Sequence, residues 1–175
     1  LREFLKKMEK IPVLMPKHTF ADFVGKFPAV TMPITLGEET HFVFSTENDV
    51  LPESMIEQFI LPLDTNGADE FTEYLPCFGI EFEAPFIALV WWKAGLLNYE
   101  YHLATFMPNG QLIGRKVIAF TRGEGESLRR AVCTIDEDLV IFVAEGTSKG
   151  FDDYMDPTTS KMYEFEIMSS GEIVG

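Results

Sequence analysis

The hydrophobic pattern changes period partway along the chain. Leu1, Phe4, Leu5 and Met8 stand at i, i+3, i+4 and i+7, with Arg2, Glu3, Lys6, Lys7 and Glu9 opposite, which predicts an amphipathic helix ended by Pro12. Thr19 and Asp22 make a capping-box pattern, and Phe20, Phe23, Val24 and Phe27 repeat the helical spacing before Gly25 and Pro28 close a short second helix. A third begins at Pro52, whose fixed φ suits the first helical position, and runs through Met55, Ile56 and Phe59 to Pro62. Between the second and third, residues 29–36 and 41–45 read as a hairpin around Gly37. Residues 61–79, with Asn66-Gly67, Pro76 and many acids, read as a long loop holding at most a short strand.

After Gly79 the period becomes two. Residues 86–93, 97–106, 111–120, 127–135, 138–145 and 161–168 are rich in Val, Ile, Phe and Tyr, and turn residues separate them. Ala94-Gly95, Asn109-Gly110 and Asp136-Glu137 are the turn candidates. The expected architecture is α+β: an antiparallel β-meander of about seven or eight strands with two or three short N-terminal helices packed on one face. The 175 residues form one domain, with residues 1–62 as the helix-containing part and 80–175 as the meander.

Counting outward from a two-residue loop at Ala94-Gly95 sorts the side chains of the first hairpin. Phe86, Ala88, Val90 and Trp92 share one apolar face with Leu97, Tyr99, Tyr101 and Leu103. Leu89 and Trp91 share the other with Asn98, Glu100 and His102, and the next turn adds Arg115 to it. Trp91, Asn98, Glu100, His102 and Arg115 are therefore the expected ligand-binding set, since an aromatic plane beside a carboxylate, an imidazole and a guanidinium can stack and hydrogen-bond a polar ligand. A solvated sheet face carries the same mixture of residues, and cross-strand charge pairs stabilise such faces, so the set is equally expected of a plain outer face.

Charge narrows the partners. The formal net charge is −14, and residues 27–92 hold 12 acids with no Lys or Arg, while the first 26 residues hold six basic residues and three acids. Such a body repels a phosphate backbone, so no nucleic acid is expected. The wholly uncharged runs, such as residues 84–92, are far shorter than the roughly 20 residues of a membrane-spanning helix, so no membrane span and a soluble domain are expected. Asp152, Asp153 and Asp156 place three carboxylates in five loop positions and are the expected metal set, with Ca2+ as the cation that oxygen ligands of this kind select; no other cofactor is expected. Residues 64–69 lack the fifth-position ligand and sixth-position Gly of an EF-hand loop. Cys77 and Cys133 read as buried apolar side chains rather than a disulfide framework.

The motifs of common chemistries are missing. There is no Gly-x-Ser-x-Gly elbow and no phosphate loop, and His18, His41 and His102 are the three histidines. The expected function is a non-catalytic binding or interaction domain for a small ligand or a protein. Two alternatives stand beside it: an enzyme with a carboxylate and His site on the sheet face, and an acidic structural or regulatory partner protein. The chain opens at Leu1 without an apolar signal core, which leaves the compartment open, an exported, periplasmic or cell-surface place being preferred to the cytoplasm.

Overall fold

The computed structural model describes residues 17–150 and 154–175. The helix expected over the first ten residues lies outside them. The next one is present: α1 (Phe20–Val24) is closed at its N-terminus by the expected box, with the Thr19 hydroxyl accepting from Asp22 N–H at 3.1 Å and the Asp22 carboxylate accepting from Thr19 N–H at 2.9 Å. The third expected helix is also there in a looser form. α3 (Glu53–Met55) runs on into a π segment, Ile56–Ile60, and a 3-10 turn, Leu61–Leu63.

The hairpin expected around Gly37 is not formed. β1 (Ala29–Val30) pairs in parallel with β3 (Glu73–Ile80), and β2 (Ile34–Leu36) pairs antiparallel with β7 (Ser127–Ile135). Residues 41–45 belong instead to a helix, α2 (His41–Glu47). The turn before it supplies the reason: Gly37 N–H donates to Thr40 Oγ1 at 2.9 Å and Thr40 N–H donates back to Gly37 O, which starts a helical path before any strand partner is met. Within α2 only Phe44 is buried, so the alternation of large residues that suggested a strand is a single inward ring with Phe42 and Val43 left outside.

The long loop expected over residues 61–79 gives way from Glu73 to the eight-residue strand β3, which runs on to Ile80. Pro76 argued against a strand because it has no N–H for the ladder. It is accommodated at a register shift between Pro76 and Phe78, and the carbonyls of Pro76 and Cys77 are taken by the Asn48 amide at 2.8 and 2.7 Å. The side chain after α2 thus satisfies backbone that a further strand would have paired.

From β3 the sheet is the expected meander: β4 (Ile87–Gly95), β5 (Asn98–Phe106), β6 (Leu112–Glu124), β7, β8 (Val140–Lys149), β9 (Lys161–Ile167) and β10 (Ile173–Val174) pair in order. With β1 and β2 the strands number ten. The β4–β5 turn falls at Leu96-Leu97 rather than Ala94-Gly95, so Gly95 faces Asn98 and Trp91 faces His102. Each β4 residue meets a partner four positions beyond the expected one. The shift is even, and an even shift leaves every side chain on its expected face.

The sheet coils until its last strands return over the middle strands β5 and β6. Lys116 of β6 sits 4.3 Å over the Phe165 ring of β9, and the Thr105 hydroxyl of β5 donates to Gly171 O at 2.6 Å. Between the two halves lies the larger core, with Val90, Leu103, Ile118, Cys133, Ile135, Ile141 and Val143 buried. A second core covers the opposite face of β4 and β5, where Phe23, Phe27, Leu51, Met55 and Ile60 enclose Leu89, Trp91, Ala104 and Phe106. Each such large side chain contributes roughly 1.5–3 kcal/mol by leaving water. The Trp91 face, expected to be solvated, is therefore an interior one. α1 and α3 have apolar residues of their own to bury, and this is where they bury them, while Phe44 of α2 joins the larger core. Cys77 and Cys133 are both buried and free.

Candidate binding site

The five residues expected to converge do so. The Trp91 indole stacks on the His102 imidazole with centroids 5.7 Å apart and planes 2° from parallel. His102 Nε2 lies 3.0 Å from Glu100 Oε2, Arg115 lies 3.4 Å from His102 Nδ1, and the Asn98 amide reaches Glu100 Oε1 at 3.5 Å. A guanidinium only donates and a carboxylate only accepts, so this arrangement fixes the imidazole with its proton on Nε2 and its lone pair on Nδ1 facing Arg115. Arg122, which the sequence did not single out, completes the set by donating to Glu100 Oε1 from Nε at 3.1 Å and from its terminal nitrogen at 2.7 Å.

A second charge pair roofs the cluster. Lys93 is the cross-strand partner of Glu100, and its ammonium meets Asp64 at 2.6 Å and Gly67 O at 2.9 Å. The Tyr74 hydroxyl donates to the same Asp64 carboxylate, and Arg115 donates to Thr65 Oγ1 at 3.2 Å. The segment 64–67, compared above with a calcium loop, thus lies over the Trp91 face and uses its first acid as a partner for a buried lysine.

Burial alone would raise the Glu100 carboxyl, but the hydrogen bonds from His102 and Arg122 and the positive charge of Arg122 outweigh it and hold the group at about 2. Asp64 follows the same logic: burial pushes up, while the bonds from Lys93 and Tyr74 win and leave it below the usual carboxylate value. Tyr74 is pushed the other way, by burial first and then by its carboxylate neighbour.

Trp91, Glu100 and His102 are each exposed by 2% or less. Glu100 and His102 bind each other beneath the stacked Trp91 ring, and a ligand would first have to displace the 64–67 segment or Arg115. The arrangement acts as a fastener that locks β4, β5 and β6 together from behind.

One residue along, on the opposite face, Trp92 is buried at 9% exposure and its strand neighbour Tyr99 reaches solvent. Trp92 stacks on Tyr99 at 5.6 Å and 16°, and the His41 imidazole lies on Trp92 at 4.3 Å and 3°. His41 is held there by its Nδ1–H, which donates to Glu38 O at 2.8 Å, and its ring also meets that of Phe42 at 4.1 Å. Glu38, Glu39, His41, Phe42, Trp92 and Tyr99 line a cavity of about 300 Å3. A smaller one of about 10 Å3, the size of a single water, continues past Glu38, Trp92 and Tyr99 toward Tyr101 and Phe120. Phe42 is 60% and Tyr99 39% exposed, so two ring surfaces face solvent at the mouth. Glu38 pairs with Arg130 at 3.2 Å, and no ion pair among the described residues engages Glu39.

A hollow of about 610 Å3 lies between hairpin tips, lined by Leu97, Leu128 and Lys149 with the turn residues Gly125, Glu126, Ser127 and Gly150. It is larger, and among the described residues no aromatic ring lines it. Of the expected metal ligands, Asp152 and Asp153 lie outside the described residues. Asp156 caps the turn Pro157–Thr159, its carboxylate accepting from Thr158 N–H at 2.9 Å and from the Thr158 hydroxyl at 2.7 Å. Among the described residues no three His, Cys, Asp or Glu side chains are grouped to hold a metal ion, and no helix is long and apolar enough to cross a membrane.

The class that fold and site define is an antiparallel β-meander with α1 and α3 packed on one face and a ring-lined cleft beside α2 on the other. No protein-family model, curated protein or solved structure matches this chain.

Proposed function

We propose that the chain is a non-catalytic binding domain that takes a small ligand in the cleft between residues 38–42 and the Trp92–Tyr99 side of the β4–β5 hairpin. The observation that carries this reading is the set of ring planes at the mouth of a cavity of about 300 Å3, at the lower end of the range of small-molecule sites. Trp92 and Tyr99 stand on paired strands, and the same strands are pinned from behind by Trp91, Glu100 and His102. Rings held on locked strands keep their geometry before a ligand arrives, which lowers the ordering cost of binding. The buried Glu100 and His102 pair is the natural centre for an enzyme, but its side chains are enclosed and engaged with each other, which favours binding over catalysis.

The test is a thermal-shift screen of a fragment panel with cationic, neutral and anionic members. Stabilising fragments should lose their effect in Phe42→Ala and Tyr99→Ala, while the Tm of each unliganded variant stays within about 3 °C of the parent, as for a surface position. Fragments whose effect survives both substitutions would place binding elsewhere and defeat the reading.

A further inference from the structure

We infer that the ligand of this cleft is a small organic cation, a methylated ammonium or a planar amidine-like group, recognised by the ring faces and by Glu39; this rests on the cleft being the binding site. Three observations converge on positive charge. The wall holds two carboxylates, Glu38 and Glu39, and no Lys or Arg lines it. Arg130 meets Glu38, which leaves Glu39, exposed at the rim, as the carboxylate without an ion pair among the described residues. The formal net charge of −14 adds a negative potential over the molecule as a whole.

The rings supply the second half of the recognition. Aromatic faces attract cations through their quadrupole, and several rings with carboxylates at the edge is the arrangement that selects quaternary ammonium groups. The His41 imidazole covers the Trp92 ring at 4.3 Å, so the ring surfaces open to a cation at the mouth are those of Phe42 and Tyr99. A sugar is the competing occupant of an aromatic and acidic cleft. It would call for donors mixed with acceptors along the wall, whereas here the acceptors of two carboxylates dominate.

Choline and 3,3-dimethylbutan-1-ol have the same shape and differ by the charge on the central atom, so comparing them isolates the cation. Their affinities for the full chain are measured by calorimetry, in the parent and in Glu39→Gln. Choline should bind about tenfold or more tighter than the neutral alcohol, and Glu39→Gln should shrink that ratio without changing the Tm. Equal affinity for the two would overturn the cation while leaving the cleft as a site for neutral ligands. No binding of choline would also overturn it. The cleft itself then stands or falls with neutral and anionic fragments whose effect depends on Tyr99.

Discussion

Glu100 shows how much a single residue's role depends on what covers it. On an open sheet face it would be one member of a screened ion pair worth under about 1 kcal/mol. Beneath the 64–67 segment, its carboxyl is held at about 2 against an ordinary 4.5, which corresponds to roughly 3 kcal/mol of folding stability. Its folded value lies below its unfolded one, so the contribution is complete above the unfolded value and is lost as pH falls toward 2. Glu100→Gln should therefore unfold at lower urea than the parent at pH 7, by about 2–3 kcal/mol, and the gap should close as the pH is taken from about 5 to 2. A gap that stays constant across that window would mean the charge of Glu100 is not what the cluster uses. The alternation of residues around Trp91 made Glu100, His102 and Arg115 legible as neighbours. Asp64, Lys93 and Arg122 were not, because their approach depends on a loop folded over the sheet and on β6 continuing beyond its expected end.

At the scale of elements, periodicity was a good guide where one face of a strand met one core. The meander from β4 to β9 follows the expected segments closely, and the misplaced β4–β5 turn did no harm because the register error was even. Periodicity failed for β3 and α2. Pro76 masked a strand whose edge carbonyls are met by Asn48, and large residues at 42 and 44 imitated alternation in what is a helix. The cleft was missed for the same reason: its upper lip is the turn into α2, some 50 residues from Trp92 in sequence, and reading that lip as a strand hid the lip itself. The consecutive acids Glu38 and Glu39 just ahead of His41 were the available signal, since acids gather at helix starts.

Two changes test these elements. Asn48→Ala leaves the Pro76 and Cys77 carbonyls without their donor and should cost about 1–3 kcal/mol in urea unfolding. Leu97, at the β4–β5 turn, has φ 55° and is largely exposed, so Leu97→Asn should raise stability by about 0.5–1 kcal/mol because Asn tolerates that conformation better. A loss of stability there would mean that Leu97 packs in solution.

Across the whole molecule, charge and architecture are divided in the same way. Lys93, Arg115 and Arg122 serve the sheet's polar fastener, while of the acid-rich stretch 27–92 Glu38 and Glu39 line the cleft and Asp64 pairs with Lys93 on the opposite face. A formal charge of −14 on a compact body works against folding through self-repulsion, which salt screens over about 10 Å at 0.1 M. The Tm should therefore rise as sodium chloride goes from about 10 to 200 mM, and a fall would show that the internal pairs outweigh the repulsion. Both tryptophans of the hairpin are buried, Trp91 in the core under α1 and α3 and Trp92, 9% exposed, beneath His41 in the cleft wall. The place of Trp92 is the centre of the binding reading.

Trp91 and Trp92 are the two tryptophans of the chain, so a 15N-labelled sample gives two indole N–H signals, which Trp92→Phe assigns. These signals are followed during a titration with choline. If the cleft binds, the Trp92 indole and the backbone amides of His41 and Phe42 shift together and saturate while the Trp91 indole stays in place. A titration that moves Trp91 and leaves Trp92 still would contradict it, and would make the buried face, with its Glu100 and His102, the site that opens to ligand.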